Sequence, residues 1–112
     1  MCLLALLRKQ CSEISRIIAE SGGRNIRVFG SVARGEDHEQ SDIDLLINME
    51  GTDGLRQNPE PTRARETERL KIRVADMTGE LERLLGREIH VAVEEWLPPG
   101  QRMAILQEAL PL

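Results

Sequence analysis

Apolar residues recur along this chain with two alternating periods. Over residues 3–21, Leu3, Leu7, Ile14, Ile17 and Ile18 fall at helical spacings, and Gly22-Gly23 ends the run. Residues 25–29, Asn-Ile-Arg-Val-Phe, alternate polar and apolar as a short strand does. Gly30-Ser31 breaks that strand, and Ser31 to Arg34 has room for one helical turn ended by Gly35. A polar loop over 36–41 leads into a second strand, Asp42 to Asn48. Residues 49–64 contain Gly51, Gly54, Pro59 and Pro61 and read as a loop, the segment expected to move most. The strongest helical pattern covers 65–85, with Leu70, Val74, Met77, Leu81, Leu84 and Leu85 on one face and Gly86 closing it. Ile89 to Val93 reads as a third strand. Pro98-Pro99 then opens a last helix through Leu110, with proline in the first turn, where its missing N–H costs nothing.

The order is therefore α-β-α-β-α-β-α, without an internal repeat. It predicts an α/β (α+β) fold in one domain over 1–112, with a sheet of about three strands flanked by helices. Strand order does not follow from the pattern.

Composition sharpens this picture. With 112 residues, 40% of them hydrophobic, the chain can build one modest core and little more, so part of any active site is expected to come from another chain. One Phe, one Trp and no Tyr make that core aliphatic and leave almost no platform on which to stack single-stranded bases. A net charge of −4 argues against a general phosphate-backbone binder, so no direct nucleic-acid contact is expected. No stretch approaches membrane-spanning length, and the run Leu3 to Leu7 is too short for a signal segment. Cys2 and Cys11 lie nine apart on one predicted helix and cannot bridge within it, which points to a reducing cytoplasm.

Charge is unevenly spread. Residues 1–35 carry six basic and two acidic side chains, 36–60 one basic and eight acidic, and 61–112 eight basic and nine acidic. The acidic middle block is either a solvated loop or a site for a hard divalent cation. Within it, Asp42 and Asp44 stand two apart on a predicted strand, so alternation turns both carboxylates to one face. Two crowded carboxylates repel unless a cation lies between them, and Mg²⁺ takes one or two carboxylates with phosphate oxygens and water. Upstream, Gly30 permits a tight turn and close approach of a ligand. Ser31 offers a hydroxyl at a helix start, where free N–H groups favour phosphate, and the fork of Arg34 suits phosphate oxygens. Read separately, Asp-x-Asp is a solvent face and Gly-Ser a turn; read together in strand–turn–strand order they are far more specific.

The string Gly30-Ser31-Val32-Ala33-Arg34-Gly35, followed by Ser41-Asp42-Ile43-Asp44-Leu45, resembles the signature of the DNA polymerase β superfamily of nucleotidyltransferases: Gly-Ser, ten residues, Asp-x-Asp. The fuller string is similar to the minimal nucleotidyltransferase branch, and the resemblance spans most of the chain. It implies a palm-like sheet, Gly30 and Ser31 on the triphosphate of ATP, and Asp42 and Asp44 on Mg²⁺ or Mn²⁺. Members of this branch are often antitoxins paired with a HEPN-domain ribonuclease toxin, and some transfer AMP from ATP onto a toxin tyrosine. The resemblance thus implies a metal-dependent protein adenylyltransferase that works in a hetero-oligomer.

One position departs from the pattern. Where the family carries a third carboxylate on the third strand, this chain has His90, in Glu88-Ile89-His90-Val91-Ala92-Val93. A neutral imidazole can act as a base near neutral pH or ligate a metal, but it is a poorer partner for Mg²⁺ than oxygen. Glu88 and Glu94 share its face but are displaced by about 6–7 Å along the strand. Three functions stay open: a transferase with His90 as catalytic base beside Asp42 and Asp44, an antitoxin of weakened or lost turnover that neutralises its partner by binding, and a subunit that senses nucleoside triphosphate. His38 reads as a solvated loop residue, Trp96 as a cap on the core, and the mixed charges from Arg63 to Arg73 as an exposed helix face.

Overall fold

The structure, a computed structural model, describes residues 3–38, 40–52 and 59–112. Cys2, and the stretch 53–58 of the loop expected at 49–64, lie outside the described residues.

The N-terminal helical pattern forms two segments, α1 (Leu3–Lys9) and α2 (Cys11–Glu20), joined through Gln10. The backbone bonds Gln10 N–H to Leu6 and Ile14 N–H to Gln10 run across the joint, so the apolar face continues through it. Strand β1 (Gly23–Phe29) follows, then the short helix α3 (Gly30–Arg34) and strand β2 (Ile43–Met49). Helix α4 (Thr62–Leu85) begins three residues before the pattern suggested. Its opening turn is built on the carbonyls of Pro59 and Pro61, which accept from the N–H groups of Arg63 and Arg65. Strand β3 (Ile89–Val93), a 3₁₀ turn over Glu94–Trp96, helix α5 (Pro99–Glu108) and a two-residue strand β4 (Leu110–Pro111) complete the chain.

The sheet has four strands in the order β3-β2-β1-β4. This is one more than the sequence suggested, because the last helix stops at Glu108 and Val28↔Leu110 pairs β4 antiparallel to β1. Strands β1 and β2 run antiparallel. The pairing slips between Arg24 and Arg27, where Asn25 takes a positive φ of 56°. Strands β2 and β3 run parallel, as a strand–helix–strand crossover through α4 requires.

That parallel register decides where chemistry can sit. Ile43 lies opposite Ile89, and both are buried; Asp44 therefore lies opposite His90 on the other face. Leu7, Ile14 and Ile18 from the first two helices, Val28 from β1, Leu45 and Ile47 from β2, and Met77 and Leu81 from α4 close the core. It is aliphatic, as the composition required. Trp96 packs against its edge with its indole N–H buried and without a hydrogen-bond partner among the described residues. Leu3, Leu7, Ile14, Ile17 and Ile18 are buried, whereas α5 buries no side chain fully and exposes Met103 and Leu106.

Candidate functional site

Sheet geometry gathers residues from four elements at one end of β1, β2 and β3. Strand β1 ends at Phe29, and the chain turns at once into α3 through Gly30, whose φ is +75°. Such a φ lies in the left-handed region, which a side chain disfavours. A second constraint acts at the same place: a Cβ on Gly30 would collide with the carboxylate of Asp44. The backbone thus passes directly over Asp44, which β2 presents in register with Phe29 on one side and His90 on the other.

A cavity of about 590 Å³ opens there, lined by Gly30, Ser31, Arg34, Glu36, His38, Gln40, Ser41, Asp42, Asp44 and His90. All six residues singled out from the sequence line this one cavity. Asp42 stands just before β2 and is exposed, whereas Asp44 is half-buried. Burial pushes the Asp44 carboxyl above its ordinary value; the charges of Asp42 and Glu108 add to this, while His90 and Arg34 oppose it. A carboxylate destabilised in this way gains from an added cation.

His90 is exposed, and its Nε2 lies 3.3 Å from Asp42 Oδ2 and 3.5 Å from Glu88 Oε1. Glu88 overcomes the displacement expected along the strand, because parallel pairing sets it beside Asp42 and its side chain reaches back toward the imidazole. The backbone fixes this neighbourhood: Ile43 N–H donates to the Glu88 carbonyl at 3.1 Å, and Ile89 N–H donates to Glu82 Oε2 at 3.2 Å. Glu94 goes elsewhere, pairing with Arg27, and the 3₁₀ turn carries it off the strand.

Helix α5 packs against α3 beside this cavity. Glu108 accepts from Gly30 N–H at 3.1 Å and from Arg34 Nη1 at 2.8 Å, while Arg34 Nε donates to Glu36 Oε1 at 2.9 Å. Two of the groups that the sequence assigns to phosphate are thus held by a carboxylate. The hydrogen bond from Arg34, joined by that from Gly30, holds the Glu108 carboxyl below its ordinary value.

His38 is an exposed loop residue, as the sequence reading had it, and it also lines the cavity. Its backbone N–H donates to the buried Ser41 Oγ at 2.7 Å, and its ring Nδ1 accepts from the backbone N–H of Gln40 at 3.2 Å. In the neutral ring that bond places the proton on Nε2. A histidine ordered by its own loop backbone leaves no trace in hydrophobic periodicity. The short spacing to Ser41 was the one available signal.

Comparison with known proteins agrees with this geometry. The nucleotidyltransferase domain model matches residues 7–112. The protein adenylyltransferase MntA of Thermococcus cleftensis is 29% identical over 89 residues, which cover 80% of this chain and 74% of that protein. A Methanocaldococcus jannaschii protein, named as a proposed protein adenylyltransferase, is 33% identical over 99 residues, 88% of each chain. A solved structure described as a proposed minimal nucleotidyltransferase aligns with a TM-score of 0.72 at 35% identity, covering 97% of this chain and 95% of that one. A toxin–antitoxin crystal structure with AMP-PNP aligns with a TM-score of 0.65 at 15% identity, over 89% of this chain and 69% of that one, a likeness of fold alone.

Proposed function

The chain belongs to the nucleotidyltransferase domain family, in its minimal nucleotidyltransferase branch, and on that premise we propose that it is an antitoxin that transfers AMP from ATP to a tyrosine hydroxyl of a partner HEPN-domain ribonuclease toxin. The observation that carries this reading is the convergence of Gly30, Ser31, Arg34, Asp42, Asp44 and His90 on one cavity. The protein adenylyltransferase name of its relative and the toxin–antitoxin setting of its structural neighbour support it. The cytoplasm is the proposed compartment; among the described residues no helix is long and apolar enough to cross a membrane.

The residues fit a divalent cation. Asp42 and Asp44 are the proposed ligands, and burial beside a second carboxylate leaves Asp44 short of compensating charge. When bound, Mg²⁺ or Mn²⁺ supplies charge neutralisation to the reacting phosphates. The chain's own groups do the rest. The Ser31 hydroxyl donates to triphosphate oxygens, and Gly30 N–H and Arg34 join it by exchanging their bonds to Glu108 for phosphate. His90 Nε2, open to solvent, accepts the proton of the attacking hydroxyl as the α-phosphate takes the oxygen and pyrophosphate leaves. The acceptor lies on another chain, since this one contains no Tyr.

A second reading has one specific observation in its favour. His90 stands where the family pattern has a carboxylate, so turnover can be weak while binding to the partner persists. The two readings part in one assay. The proposed transferase labels its partner with radioactive ATP, and Asp42→Asn with Asp44→Asn loses both labelling and neutralisation. A binding antitoxin labels nothing, and the same double variant still neutralises.

A further inference from the structure

Asp42, Glu88 and His90 each offer one ligand atom, and these atoms all lie within 4.8 Å of one another. The arrangement follows from the sheet. Parallel pairing of β2 with β3 brings Asp42 and Glu88 to the entry of adjacent strands, and the bond from Ile43 N–H to the Glu88 carbonyl holds the two backbones together. His90 Nε2 then sits between an aspartate oxygen at 3.3 Å and a glutamate oxygen at 3.5 Å. Asp44 lies directly across from His90 on the same face.

The chemistry of this donor set differs from that of three carboxylates. Mg²⁺ is hard, requires near-ideal octahedral oxygen geometry and gives up its water reluctantly. Imidazole nitrogen instead suits first-row transition ions, whose affinity for a given nitrogen–oxygen site rises from Mn²⁺ through Co²⁺. Exchanging one oxygen ligand for an imidazole therefore moves preference away from Mg²⁺, and a second nearby carboxylate restores the anionic charge that a divalent ion requires.

We infer that Asp42, Glu88 and His90 form a mixed nitrogen–oxygen cation site, with Glu88 as a ligand, that takes Mn²⁺ or Co²⁺ in preference to Mg²⁺. The inference deepens the proposed function, rests on it in treating Asp42 as a metal ligand, and gives His90 Nε2 to the cation in place of the proton of the attacking hydroxyl.

The test uses the whole chain with metal alone, without nucleotide or partner. Mn²⁺ affinity is measured by loss of the free-ion electron paramagnetic resonance signal, with Mg²⁺ as competitor. Mn²⁺ is expected to bind at least about tenfold more tightly than Mg²⁺, Glu88→Gln to weaken Mn²⁺ by about tenfold or more, and His90→Asp to narrow the preference by a similar factor. Location is read independently from imidazole resonances. The chain has only two histidines, and substoichiometric Mn²⁺ should broaden His90 more strongly than His38. Both substituted positions are exposed, and an unchanged melting temperature verifies folding. Equal affinity for Mg²⁺ and Mn²⁺, or Mn²⁺ binding unaffected by both Glu88→Gln and His90→Ala, overturns the inference. Because no ATP is present, a chain that binds Mn²⁺ here yet labels no partner contradicts the transferase and leaves the metal site standing.

Discussion

Arg34 and Glu108, 74 residues apart in the chain, meet at 2.8 Å, and the same carboxylate holds the Gly30 N–H. The last helix thereby reaches over the turn that opens the candidate site, and its carboxylate is held below its ordinary value by those two donors. A group whose folded-state pKa is depressed stabilises above its unfolded pKa, near 4.5 here, and loses that contribution as pH falls through the folded value. Glu108→Gln should therefore lower the melting temperature at pH 7 by roughly 2–4 °C, as expected for a partly exposed pair. Wild type and variant should converge as the buffer is taken below pH 4.5. Melting curves recorded from pH 7 to pH 3 check this. A gap that widens toward acid would show that the pair does not carry the stability.

Gly30 and Gly35 flank the same short helix with nearly equal positive φ values, +75° and +73°, but in different surroundings. A Cβ on Gly35 meets nothing within 4 Å, whereas one on Gly30 runs into the Asp44 carboxylate. Gly35→Ala should cost only the left-handed penalty, about 1–2 kcal/mol. Gly30→Ala should cost about 1–3 kcal/mol more, because Asp44 must also move. Urea denaturation of the two variants gives the comparison. Equal losses would mean that the backbone does not press on Asp44.

Adding ATP together with Mn²⁺ or Mg²⁺ should raise the melting temperature, since a ligand that binds only the folded state stabilises by mass action, about 2.7 kcal/mol at a hundredfold excess over Kd. Asp42→Asn combined with Asp44→Asn should abolish the shift. A shift of equal size in the double variant would place the cation and nucleotide elsewhere.

Much of the site was legible because strand alternation and short spacings are local. Two residues of separation put Asp42 and Asp44 on one face, and the break at Gly30 after an alternating run marked a tight turn. What escaped was non-local. Glu108 meets Gly30 only through the tertiary path of α5, which no periodicity encodes. Glu88 was judged by its distance along one strand, although its place is set by the neighbouring strand and by side-chain reach. The fourth strand escaped because it has only two residues, of which Leu110 read as the end of the last helix. Pro111 is tolerated because β4 forms the edge of the sheet.

The central claim is transfer of AMP to another protein, and intact-mass analysis tests it most directly. The chain is incubated with ATP, Mn²⁺ or Mg²⁺, and the proposed HEPN-domain partner, sought by copurification from the native host, and both proteins are weighed. The account predicts that the partner gains the mass of AMP, mapped by fragmentation to a tyrosine, while this chain keeps its own mass and the Asp42→Asn, Asp44→Asn variant transfers nothing. A partner of unchanged mass, or AMP found only on a Ser or Thr of this chain, would contradict it.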